Sequence, residues 1–424
     1  MILSINLLNK SSTFKQGVKP RIKIIFCPSS PKESCGIFWK VLDKTIILLF
    51  TTLLIFPGFP HAKEIGEGKS QPPGGSFQIA IFPVENLSGT PAPLKEIRKA
   101  FAERLKQLGV PVLEEGAIEK IMEKHRIRYV GGLDREIAKV FKEEAGVEGV
   151  LITSLELYSE INPPKIALTS RLVSIGDRPS ILWIDSVGMA GDDSPGILGL
   201  GLIEDPKALL EKAIKSMTDS LIRYVLKRPE EGDSRGVKKK FQPKIAYRSP
   251  ILDPERKYVV AVLPFFNRSE RKYAGEILIL HFIRQLKRFN HFDIIEPGIL
   301  RQELLGLRVI MEDGVSLANA DAIFATLNTD LILSGKVINY QDYQGIWGKP
   351  KVDFSTFIIE RKSREVVWSS NSYNTGDDGV FFFDWGRVNT ANAMTSQMTQ
   401  WIGKRILENS ERTQGVKESN REVK

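Results

Sequence analysis

Gly-Asp-Asp occurs twice, at 191–193 within WIDSVGMAGDDSPG and at 376–378 within WSSNSYNTGDDGV, each time behind a strand-like run led by Trp. Paired carboxylates have two chemical uses. They supply oxygen ligands to hard cations, or they divide acid and base work when their pKa values are pushed apart. A cation would need more oxygen donors near Asp192, Asp193, Asp377 and Asp378, and no partner stands at a fixed spacing from either pair. The structural alternative is that Gly frees the backbone and Asp caps a turn or the following helix. Recurrence at the same place in two copies favours it, because duplication copies scaffolds.

Other sources of chemistry are equally thin. In KEIGEGKS a phosphate loop would want Gly where Lys63 stands, and no strand precedes it. GILGLG from Gly196 lacks the last Gly of the dinucleotide fingerprint. His61, His125, His281 and His291 show no zinc-ligand spacing, and His281 falls on a helix as a core or rim residue. There is no Gly-x-Ser-x-Gly elbow. The expectation is a protein that is not an enzyme, with no cofactor and no metal.

The elements that would position these residues come in duplicate. IAIFPVENLSG from Ile79 aligns with VAVLPFFNRSE from Val260, and VPVLEEG from Val110 with FDIIEPG from Phe292. VEGVLITSLELY from Val147 aligns with TDLILSGKVINY from Thr329, PPKIALTSRLVS with KPKVDFSTFIIE, and Trp183 with Trp368. The matches keep their order, which is the signature of an internal repeat. Apolar strands, then helix-period runs such as Leu94, Ile97, Phe101 and Leu105, make each copy read β-α-β-α-α-β-β-β-α. The fold class is therefore α/β, two tandem copies of a mixed-sheet domain.

The organisation expected is an N-terminal tail with signal peptide or anchor (1–62), a leader (63–76) and a first repeat (77–228). A charged linker (229–256), a second repeat (257–408) and a disordered tail (409–424) follow. The formal charge of +9 is concentrated at the front: residues 1–44 carry a net +6, so the rest carries only +3. That excludes a phosphate-binding footprint, and with it a nucleic-acid partner. Thr45 to Phe56 is a charge-free apolar run of 12 residues behind Lys40 and Lys44, broken by Pro57 and Gly58. It suits a signal peptide cut near Ala62 better than a membrane span of about 20 residues. An uncleaved anchor is the rival. Cys27 and Cys35 are the only cysteines, so a chain cut there would have neither disulfide nor lipid-bearing thiol.

A strand of the form (I/V)A(V/I)xPFxN, a helix, a short strand ending in Glu, and a strand with Gly before Tyr resemble a family of bacterial envelope domains. It is typified by the CsgG-like curli-secretion lipoprotein, the TolB amino-terminal domain and lipoprotein activators of penicillin-binding proteins. The resemblance covers about 77–228 and 257–408. It implies a periplasmic or envelope-associated protein that binds envelope or outer-membrane proteins, or further copies of itself, and has no active site. The missing lipidated Cys departs from the pattern. So do the 12–15 residues after each Gly-Asp-Asp, too few for membrane-spanning hairpins of about 9–11 residues per strand. The reading is a binder in outer-membrane assembly or secretion, the first alternative a regulator of a cell-wall synthase, and the alternative of another class a hydrolase. The copies differ most after Gly-Asp-Asp, where Phe381, Phe382, Phe383 and Trp385 form an aromatic run. These four are the candidate partner-binding residues, against a competing role as core packing.

Overall fold

The computed structural model describes residues 77–193, 201–226, 239–308, 314–345, 347–380 and 386–407. In the first strand, β1 (Ile79–Ile81), Ile79 and Ile81 point to one face while Ala80 and the following Phe82 point to the other. Both faces of the strand must therefore be covered, and the chain supplies helices for each. The first repeat continues through β2 (Glu85–Asn86), α1 (Leu94–Gln107), α2 (Glu115–Lys124) and α3 (Arg135–Ala145). It ends with β3 (Gly149–Ser159), β4 (Lys165–Ser174), β5 (Ile181–Ala190) and α4 (Pro206–Val225). Helices α1 and α4 pack on the Ile79 face, α2 and α3 on the Phe82 face. Local signals place the ends: Asp134 accepts from Ile137 N–H before α3, and Gly146 takes the left-handed turn that ends it.

Strand β6 (Ile245–Arg248) comes next and belongs to neither repeat pattern. The second repeat runs β7 (Tyr258–Val262), β8 (Phe266–Asn267), α5 (Ala274–Lys287), β9 (Phe292–Ile294), α6 (Pro297–Gly306) and α7 (Leu317–Leu327). It closes with β10 (Leu331–Gln341), β11 (Lys351–Glu360), β12 (Val366–Thr375) and α8 (Ala391–Leu407).

The sheet orders correspond strand for strand. The first is β1-β3-β4-β5 with β2 on β3, and the second is β9-β7-β10-β11-β12-β6 with β8 on β10. In each, the first strand pairs parallel with the long one and the last three run antiparallel. The expected α/β order appears in both copies, the short second strand of copy one being a single bridge from Ile79 to Val112. Trp183 and Trp368 are both buried. Within the stretch composed like a linker, 229–256, the described part from 239 on contributes structure: β6 pairs antiparallel with β12 and Phe241 is fully buried.

The two amphipathic helices differ in one respect that sets the architecture. On α1 the residues away from the sheet are Lys95, Glu96, Lys99 and Glu103, all exposed. On α5 nearly every side chain from Ala274 to Leu286 is buried, His281 included. A helix apolar all round must be covered all round. The cover is β5 of the first repeat: Ile181 and Ile184 join the core formed by α5 and α8.

Candidate functional site

The repeated motif is built from the backbone outward. Gly191 N–H donates to Pro164 O while Gly191 O accepts from Ile203 N–H; Gly376 does the same with Pro350 and Val388. A Cβ at Gly191 would lie 2.1 Å from Ile203 O, and one at Gly376 2.3 Å from Val388 O. No side chain fits between the two flanking segments. The second Asp then closes the turn: Asp193 Oδ2 accepts from Ala190 N–H at 2.8 Å, and Asp378 Oδ2 from Thr375 N–H at 3.0 Å. Asn86 and Ser88 are bonded in the same way as Asn267 and Ser269, with the serine N–H and Oγ both donating to the Asn Oδ1. The duplicated polar residues thus hold turns, and among the described residues no three acidic, His or Cys groups gather as a metal site.

The polar chemistry collects instead where the repeats meet. Ser180, just before β5, bridges antiparallel to Ile295, just after β9. Arg171 of β4 and Glu296 at the start of α6 are both fully buried, with Nη2–Oε1 at 3.2 Å and Nε–Oε2 at 3.3 Å. Glu296 Oε1 also accepts from Leu133 N–H, and Arg171 donates to Gly131 O at 2.5 Å. Backbones touch beside the pair, since a Cβ on Gly298 would fall 2.3 Å from Leu133 N. Burial pushes the neighbouring Glu85 carboxyl up, although Ser154 donates to it.

A second cluster lies deeper. Glu156 of β3 accepts from Thr169 Oγ1 and from Asn392 Nδ2 at 2.6 Å, with His281 Nε2 at 3.4 Å. Burial opposes its charge, but His281 and the hydrogen bonds prevail and hold its carboxyl below the usual range. Asn392 reaches this place because β5 has Gly188 there; a Cβ would stand 2.4 Å from Asn392 Oδ1. Arg271 donates to Leu87 O, Ser88 O and Glu156 O of the first repeat. Arg284 Nε donates to Asp185 Oδ1 at 2.8 Å.

At the end carrying the Gly-Asp-Asp turns, Lys165 Nζ donates to Tyr343 O at 2.8 Å and lies 3.0 Å from that ring's centroid. Burial pushes the ammonium down to about 8, against the pull of Asp342 and Asp192. A cavity of about 400 Å³ opens nearby between Asn162, Pro163, Asp192, Gln344 and the exposed Trp347. Among the described residues of its lining, Asp192 is the titratable one.

Phe381, Phe382, Phe383 and Trp385, the residues picked from the sequence, lie outside the described residues. What the sequence did not single out is an open face on the second sheet. Where the first sheet has buried Glu156 and Arg171 and half-buried Gly188 against the second repeat, the aligned positions here are Ile338, half-buried Phe357 and Tyr373. Ile338 is 51% and Tyr373 46% exposed. Strand β6 widens this face with Ile245 opposite Asn371 and Tyr247 opposite Ser369, at 68% and 52% exposure. The only signal in the sequence was the repeat alignment itself, which sets these residues against the seam positions.

No protein family matches the chain, and no curated protein does. Similar solved structures include a PelC dodecamer from Paraburkholderia phytofirmans, at 18% identity over 39% of this chain and 97% of that one, TM-score 0.27. Lipoprotein GNA1162 from Neisseria meningitidis is 17% identical over 34% and 99%, TM-score 0.26. The LpoB C-terminal domain from Salmonella enterica is 13% identical over 28% and 83%, TM-score 0.23.

Proposed function

We propose that this chain is a non-catalytic envelope protein that binds partner proteins in outer-membrane assembly or secretion, using the open face of its second sheet. One observation carries the reading. Residues at the joint between the repeats are charged or minimal, the buried Glu156 and Arg171 with the half-buried Gly188, whereas their counterparts are the exposed Ile338 and Tyr373 and the half-buried Phe357. Divergence of a free surface would ordinarily run the other way, towards polar residues. Tyrosines set among Ser355, Ser369 and Asn371 give rigid contact area flanked by adaptable hydrogen-bonding groups, the composition of a recognition surface.

The test is a photo-crosslinking residue placed at Tyr373 or Ile338 in the producing cell, with Lys99 on the charged face of α1 as control. Discrete protein adducts from the first two positions, absent at Lys99, are expected. A cell-wall synthase among them would select the regulator reading. Equal labelling at all three, or none, overturns the binding face. Fractionation and N-terminal sequencing check location: an envelope-bound product beginning near Lys63 is expected, and a cytoplasmic product beginning at Met1 refutes it.

A further inference from the structure

We propose that two copies of this chain join edge to edge through β6, about a two-fold axis at Ala246, making one sheet continuous across both. The inference concerns the backbone edge of β6, whereas the partner-binding reading concerns the sheet face of β10 to β12, which Ile245 and Tyr247 extend; crosslinking from Tyr373 or Ile338 tests the face and pairing at Ala246 tests the edge.

Three features of β6 point there. It has no counterpart in the first repeat, and it occupies the same edge of the fold at which the first repeat joins the second: β12 aligns with β5, and Ser180 just before β5 bridges to Ile295. The chain already uses this edge as a joint. Second, no described residue pairs with the outer side of β6. Edge strands are ordinarily guarded by inward charges, a bulge or a covering element. Ile245, Ala246 and Tyr247 are instead all exposed. Arg248 does not guard the strand, because its guanidinium turns inward to Ile406 O and Leu252 O.

Third, an antiparallel edge is complementary to itself, so one strand and one axis suffice to close a dimer. With Ala246 on the axis, Ile245 of each copy stands directly opposite Tyr247 of the other, an apolar–aromatic pair made twice on one face. The smallest side chain of the strand sits on the axis itself. Arg248 is folded under its own α8, so Lys244 opposite it meets no facing charge.

Sedimentation equilibrium of the full-length chain over a wide concentration range tests the proposal. A dimer that grows no further is expected. Ile245→Lys with Tyr247→Lys, both at exposed positions, should raise its dissociation constant by about 30-fold or more, the factor for one interface hot spot. A second measurement does not depend on that variant: Ala246→Cys, with Cys27 and Cys35 changed to Ser, should give a disulfide-linked dimer on mild oxidation. Cα atoms about 4.5–5.5 Å apart across such a pair lie within disulfide reach. A monomer at every concentration, species that keep growing, a dimer indifferent to the lysines, or no crosslink at position 246 would each overturn it.

Discussion

Arg171→Met should be among the most destabilising single changes in the chain, and Glu296→Gln should partly rescue it. Arg171 and Glu296 are fully buried and doubly bonded, with Gly131 O and Leu133 N–H as the remaining partners. Removing the cation strands Glu296 without a counter-charge, beside Glu85, whose carboxyl burial already pushes up. Breaking one side of such a pair costs about 3–5 kcal/mol. Glu296→Gln then removes the stranded charge while its amide oxygen still accepts from Leu133 N–H. The double variant should regain about 1–3 kcal/mol of that loss, an interaction energy typical of contacting residues. Urea unfolding of the four proteins, followed by tryptophan fluorescence and far-UV dichroism, measures the cycle. Coincident transitions are expected because the pair joins two cores into one cooperative body. An Arg171→Met cost below about 1 kcal/mol, the range of an exposed pair, or strictly additive losses, would refute the claim that this pair locks the seam.

Gly376→Ala should cost about 1–3 kcal/mol by overpacking, since its Cβ would meet Val388 O; a thermal melt close to wild type would contradict the backbone reading of Gly-Asp-Asp. Lys165 is a cation whose folded pKa, about 8, lies below its unfolded value of about 10.4, so burial penalises the fold at neutral pH and the penalty lifts between those values. Stability should therefore rise from pH 8 towards 10, until tyrosines such as Tyr129, pushed up to about 12 by burial, reverse the trend as they ionise in the unfolded chain. Lys165→Met should flatten the rise, and an unchanged slope in chemical unfolding would count against the assignment. Replacing Phe381, Phe382, Phe383 and Trp385 by Ala should leave the melt nearly intact if the rings anchor a partner, and abolish the cooperative melt if they pack the core, because losses of about 3–5 kcal/mol each together rival the stability of a whole domain.

The layered α/β order was legible because each strand and helix carries its own period, and because the repeat supplies every element twice. Val260 and Val262 point one way on β7 and Ala261 the other, just as Ile79 and Ile81 oppose Ala80 on β1. Strand β6 was hidden by composition: Lys, Gly and Pro around 229–244 read as linker, and four residues are too few to show a period. The seam was hidden for a different reason. Glu114 and Gly116 match Glu296 and Gly298 in the alignment, yet Glu114 is exposed and pairs with Lys106, while Glu296 is fully buried against Arg171. Matching Glu and Gly positions cannot reveal which copy will be covered, because Arg171 lies more than a hundred residues from Glu296.

The same comparison shows that the joint between the repeats is not available again on the second sheet. Adding a third repeat by the contact that joins the first two would require the second sheet to accept an Asn like Asn392 and a Glu like Glu296. At the first place β5 offers Gly188, with no room even for a Cβ, whereas β12 offers Tyr373. At the second, β4 offers the Arg171 guanidinium and β11 offers Phe357, leaving an incoming carboxylate buried with no cation. At the other end, α1 shows Lys99 paired with Glu103 where α5 is apolar, so the first repeat cannot insert under a neighbouring sheet without stripping those charges of water. Both ends have left the joining mode that the middle retains. Duplication therefore used one sheet face to join the two copies and left the matching face of the second sheet open, with Ile338 and Tyr373 outward.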